Sequence, residues 1–160
     1  MVVSREPLPT RVDATIPLPS AYVDALEAGL GTLSLSLEPA VRAAIDGHAR
    51  LLLAWNQAIN LTAIRDPAAV AIAHVIDSLS GLTVLRERGV DRFIDLGSGG
   101  GYPGLPLAAA LPAVRSLLLE TVGKKARFLA TVVRNRAFLP IGSSRSARMA
   151  GKAAASGMPG

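Results

Sequence analysis

The stretch Arg92-Phe-Ile-Asp-Leu-Gly-Ser-Gly-Gly-Gly-Tyr-Pro-Gly-Leu-Pro106 decides the fold. An apolar run ends at Asp95, glycines follow at the alternate positions Gly97, Gly99 and Gly101, and Pro103 opens a run of helical composition. That order reads as a strand, a glycine turn and a helix N-terminus, an arrangement that lets the main chain come close to a nucleotide-like ligand. Glycine has no Cβ to hold such a ligand away. The first amides of the following helix and its positive dipole end favour negative groups. Asp95 points away from a dinucleotide, because a carboxylate beside a pyrophosphate is repelled.

Outward from the turn, residues 114–120 (VRSLLLE) form a second strand, apolar enough for burial on both faces, that ends at Glu120. A carboxylate there can accept both ribose hydroxyls of an adenosine. Residues 123–135 follow as an amphipathic helix, with Ala126, Phe128 or Leu129, and Val132 or Val133 inward. Its first turn carries Lys124, Lys125 and Arg127, cations where the helix dipole disfavours them. Contact with RNA phosphate is one use for them; a solvated face is the other.

Upstream of the turn the periodicity is helical. A helix is expected over 21–30 behind Ser20, another from Pro39 to about Ile59, and a third from Pro67 to about Leu82 with Asp66 as its cap. Asp46 and Gly47 weaken the second of these. Trp55 reads as core. Asn60 and Thr62 read as turn residues that bond to the main chain. His74 and Asp77 share one helix face and can meet each other or a common partner. Three helices followed by β-α-β-α make an α/β fold behind a helical cap.

The composition sets limits. The chain has 160 residues, half of them apolar, and no cysteine, which excludes a disulfide framework and a thiolate metal site. His48 and His74 are too few and too isolated for a metal centre, so no metal is expected. No run reaches the roughly 18 uninterrupted apolar residues of a membrane span, and a monomer in the cytoplasm is expected. Charge is uneven: residues 1–120 hold nine basic and twelve acidic side chains, residues 121–160 eight basic and none acidic. Such a block suits a polyanion or a loose tail.

Two ligand readings compete. Gly99-Gly-Gly101-Tyr-Pro-Gly104 fits G-x-G-x-x-G, which a nicotinamide- or flavin-binding oxidoreductase would use. Asp95-x-Gly97-x-Gly99-x-Gly101 is similar to the pattern of S-adenosylmethionine-dependent methyltransferases, where an acid at the strand end lies near the cationic methionine part. Glu120 fits both. A third possibility is a non-catalytic product whose basic tail binds nucleic acid.

The combination of WNQAINLTAIRDP, HVIDSL, RFIDLGSGGGYPGLPLA and LLLETVGKKARFL resembles the RsmG (GidB) family, which methylates N7 of a guanine in bacterial small-subunit ribosomal RNA. The resemblance covers roughly residues 25–136. It implies a Rossmann-like methyltransferase with an N-terminal helical extension, S-adenosylmethionine as cofactor and small-subunit ribosomal RNA as partner. Gly97 and Tyr102 match cofactor-contacting positions, Asp95, Gly99 and Gly101 complete the turn, and Glu120 stands at the ribose-binding acid. No catalytic residue is implied, since N7 of guanine carries a free lone pair at neutral pH.

The expected organisation is a flexible leader (1–19), the helical extension (20–85), the first half of a Rossmann-like domain with an incomplete sheet (86–136), and a disordered basic tail (137–160). After about Arg136 the resemblance ends, as in a frame-slipped or prematurely ended reading of a longer gene. A short form of this kind is expected to be marginally stable, with little or no activity.

Overall fold

The computed structural model describes residues 7–135, 138 and 148–150. Two long helices come first, α1 (Ser20–Thr32) and α2 (Pro39–Trp55). Pro39 starts α2 where its missing N–H has no partner to lose. The helix runs unbroken through Asp46 and Gly47; Asp46 pairs with Arg42 one turn back, at 2.8 Å. It ends at Trp55, four residues short of the expected Ile59.

The next helical run, Pro67–Glu87, is longer than expected. It comprises α3 (Pro67–Val70), a π-helical stretch Ala71–Ile76, α4 (Asp77–Ser80) and α5 (Leu82–Glu87). Asp66 caps it, accepting from the Ala69 amide at 2.7 Å. By length and mean hydropathy, 1.7 over 18 residues, it could cross a membrane. Here Val70, Ala71, Val75, Leu79 and Leu82 are instead buried in the core.

The sheet follows: β1 (Arg92–Leu96), α6 (Gly104–Ala110), β2 (Arg115–Leu119), α7 (Gly123–Val133) and β3 (Arg148–Ala150). The strands are parallel in the order β1-β2-β3, with Ile94 opposite Leu117 and Leu118 opposite Met149. The sequence pattern shows only the first two strands. The third lies in the segment read as a disordered tail, most of which falls outside the described residues.

Strands added in one direction with right-handed crossovers place α6 and α7 on the same face. Burial agrees. Leu118 and Ser116 are covered, whereas Ile94 and Leu96, on the opposite face of β1, are 57% and 75% exposed. The core is one cluster in which α2 contributes most, and Trp55 meets Phe128 of α7 with ring centroids 5.5 Å apart.

The leader departs from expectation over residues 7–19. Trp55 Nε1 donates to Pro9 O at 2.7 Å. Asn135 Nδ2 donates to Thr10 O, and Asn135 Oδ1 accepts from the Val12 amide. Arg50 donates to Thr15 O and Ile16 O. Side chains of α2, together with Asn135 beyond α7, thus satisfy main-chain groups that the prolines leave without regular partners.

Candidate cofactor site

The site grows from the end of β1. The Gly97 and Ser98 amides both donate to Leu119 O, at 2.8 and 3.1 Å, which ties the loop to the end of β2. Ser98, 2% exposed, folds back to donate to Asp95 O. Gly97, Gly99 and Gly101 have φ of 73°, 52° and 89°, the left-handed region that favours glycine. The Gly101 amide donates to Ser98 O at 2.6 Å and closes the turn.

Two carboxylates are tied into this loop. Asp95 Oδ2 accepts from the Gly104 amide, the first of α6, at 3.1 Å. A Cβ at Gly104 would overlap that carboxylate, so only glycine lets Asp95 sit there. Glu120 Oε2 accepts from the Gly99 amide at 2.8 Å, and Oε1 from the Val122 amide at 2.7 Å. Burial works against the charge on Glu120. Hydrogen bonds from the amides of Val122, Gly99 and Thr121, with the charge of Lys125, outweigh it and hold the carboxyl below its ordinary range.

The expected residues therefore converge: Asp95, Gly97, Gly99, Gly101 and Glu120 surround one loop at the C-terminal ends of two parallel strands. A Cβ on Gly97 would meet nothing within 4 Å, so the space above the loop is open. Two carboxylates beside open space fit a cationic ligand bearing a ribose. Of the basic residues, Lys125 lies close enough to act on Glu120, while Lys124 and Arg127 are exposed at the start of α7.

Tyr102 is placed differently from the rest. Its ring lies behind the loop, between His48 (centroids 4.3 Å apart, planes at 20°) and His74 (4.8 Å, 16°). His74 turns to Thr62, with His74 Nε2 and Thr62 Oγ1 sharing a hydrogen bond of 2.8 Å. Burial lowers the His74 pKa; the Ala73 main chain and Asp77 act the other way.

Asn56, rather than Asn60, organises the connection. Its Oδ1 accepts from the Leu61 and Thr62 amides, and its Nδ2 donates to Thr62 O and Ile64 O. Of these segments, NLT and HVIDS reach the glycine loop, through Leu61 beside Gly100 and His74 on Tyr102, while RDP caps the following helix within the extension. The only sequence signal for His48 is its place on the buried stripe of α2, three residues after Ile45 and four before Leu52.

The family described as rRNA small subunit methyltransferase G (GidB) matches residues 42–138. The chain belongs to this family. It is 42% identical over 111 residues to the ribosomal RNA small subunit methyltransferase G of Ectopseudomonas mendocina, covering 69% of this chain and 51% of that protein. For the same-named protein of an Anaeromyxobacter species the identity is 45% over 112 residues, 70% of this chain and 51% of that protein. For that of Xylella fastidiosa it is 44% over 119 residues, 74% and 54%. The chain spans about half the length of the curated relatives it matches. GidB membership does not favour the nicotinamide reading left open by Gly99–Gly104.

Proposed function

We propose that this chain binds S-adenosylmethionine at the Gly97–Gly101 loop and serves the N7-methylation of a guanine in small-subunit ribosomal RNA. The observation that carries the reading is the pair of carboxylates anchored to one glycine loop: Asp95 through Gly104 and Glu120 through Gly99. When bound, the cofactor supplies an electrophilic methyl group on a sulfonium.

The chain's own residues do the rest. Asp95 offers negative charge to the cationic methionine end. Glu120, kept ionised, has lone pairs left for ribose hydroxyls after accepting two amides. Gly97 and Gly99 leave the approach free, and Tyr102 contributes its main chain while its ring wedges the loop from behind. No proton needs to be removed from guanine N7, so the protein's contribution is alignment and charge. Lys124, Lys125 and Arg127, at the start of α7 just past Glu120, would meet RNA phosphate, an interaction that salt weakens.

The test is titration calorimetry of S-adenosylmethionine and S-adenosylhomocysteine, with NADH for contrast, on the wild type and Asp95→Ala. Binding of both adenosyl compounds, no heat with NADH and weakening in Asp95→Ala are expected. NADH binding at the expense of the adenosyl compounds would overturn the assignment. Methyl transfer by this chain to small subunits is expected to be slow, because the described sheet has three strands and β1 pairs on one side only.

A further inference from the structure

We propose that His48 is a positioning residue for the cofactor loop: from the middle of α2 it fixes the main chain of Gly100–Tyr102 from behind, so that the helical extension sets the shape of the binding site. The consequence for ligand affinity rests on the adenosyl reading above; the mechanical role does not.

Three contacts converge on this one imidazole. His48 Nε2 lies 2.7 Å from Gly100 O. A carbonyl only accepts, so Nε2 carries the proton and donates. The ring also stacks on Tyr102, whose other face is covered by His74. Gly101 passes so close that a Cβ there would stand 2.9 Å from His48 Nε2. One turn further along α2, Leu52 would stand 3.0 Å from a Cβ on Gly100. The loop is moulded on a ridge of α2 made by His48 and Leu52.

The choice of histidine is informative. His48 is wholly buried, and its Nδ1 has no hydrogen-bond partner among the described residues. A phenylalanine would fill the space and stack on Tyr102 without leaving a nitrogen unpaired in the core. What imidazole adds is the N–H directed at Gly100 O. On the other side, Glu120 holds the Gly99 amide. Two peptide units of the loop, Ser98–Gly99 and Gly100–Gly101, are thus gripped from different elements, one from the end of β2 and one from α2.

The experiment compares the wild type, His48→Phe, which keeps ring and stack but loses the donor, and His48→Gln, which restores a donor without the ring. Amide hydrogen exchange of the ligand-free proteins is followed at Gly99 and Gly101, with Leu118 and Phe128 reporting global opening, and S-adenosylhomocysteine affinity is measured in parallel. In His48→Phe, exchange at Gly99 and Gly101 should quicken about tenfold and affinity should fall about tenfold, the scale of one lost hydrogen bond, with Leu118 and Phe128 unchanged. His48→Gln should recover part of both.

Wild-type exchange at Gly101 in His48→Phe would overturn the proposal. So would equal quickening at Leu118 and Phe128 in both variants, which would make His48 a packing residue. If the wild type does not bind S-adenosylhomocysteine while Gly101 exchange responds as described, the adenosyl reading fails and the role of His48 stands.

Discussion

At the scale of single residues, the site depends on two carboxylates whose positions the main chain dictates. Gly104→Ala puts a methyl group where Asp95 Oδ2 sits, forcing the carboxylate off the α6 amide. Affinity for S-adenosylhomocysteine should drop at least about tenfold, the scale of one lost hydrogen bond. In Gly31→Ala, where the new methyl meets nothing within 4 Å, affinity should hold and the thermal midpoint rise slightly. Equal affinities in the two variants would show that Asp95 is not placed by Gly104. Glu120→Gln keeps the shape but leaves one acceptor oxygen for two amides, so Gly99 or Val122 loses its partner. The variant should be about 1–3 kcal/mol less stable in urea at neutral pH. Glu120 has a lowered folded-state pKa, so its contribution is complete above the ordinary value of 4.5 and disappears as the pH falls below it. The gap between wild type and variant should therefore close on acidification; a constant gap from pH 7 to pH 3 would contradict the ionised role.

Among the elements, α2 makes the stability of the fold depend on pH. Burial pushes the pKa of His48 down to about 4; the Gly100 carbonyl opposes the shift and His74 adds to it. The unfolded chain titrates near 6.5. Between these values the unfolded state takes up a proton that the folded state refuses, so stability is full above pH 6.5 and declines toward pH 4. The loss amounts to about 3 kcal/mol for His48 alone. His74, half-buried and shifted the same way, steepens it. In His48→Phe this acid limb should flatten, as read from urea midpoints at pH 7 and pH 5; an unchanged slope would place the titration elsewhere. The elements also show what a sequence can and cannot disclose. The glycine loop was legible because its chemistry is local: strand, left-handed turn and helix start lie within fifteen consecutive residues. Asp66 was legible as a cap for the same reason. His48 was not, because its partner Gly100 is 52 residues away and only the docking of α2 brings them together. Asp46–Gly47 reads as a weak point in the sequence, yet in α2 Gly47 is buried and Asp46 is held by Arg42. Asn60 and Thr62 read as the turn residues of the connection, whereas in the fold Asn56, just past α2, reaches over the turn to bond it. The π-helical stretch Ala71–Ile76 has no periodic signature, and Arg148–Ala150 is too short and too sparsely apolar to announce a strand.

On the scale of the whole molecule, the sheet is covered on one face only among the described residues. Ile94 and Leu96, on the open face of β1, are mostly exposed, and Leu117 and Leu119 stand opposite them on β2. Apolar surface of this kind binds hydrophobic dyes and promotes association. A double variant, Ile94→Thr with Leu96→Thr, should lose most of the anilinonaphthalene sulfonate fluorescence of the wild type with its circular dichroism unchanged. Undiminished fluorescence would place the exposed apolar surface elsewhere. The leader matters at this scale as well. Residues 9–16 are bonded by Trp55, Arg50 and Asn135, so the N-terminal segment, α2 and the end of α7 are tied together. The grip of α2 on the loop bears on protein engineering: there is no clean seam at which to build a chimera. A graft carrying residues 86 onward onto a foreign helical region would arrive with its glycine loop unsupported, and a transplanted amino-terminal half would bring an imidazole with nothing to grasp and a leader without Asn135 to hold it. The two halves must be exchanged together.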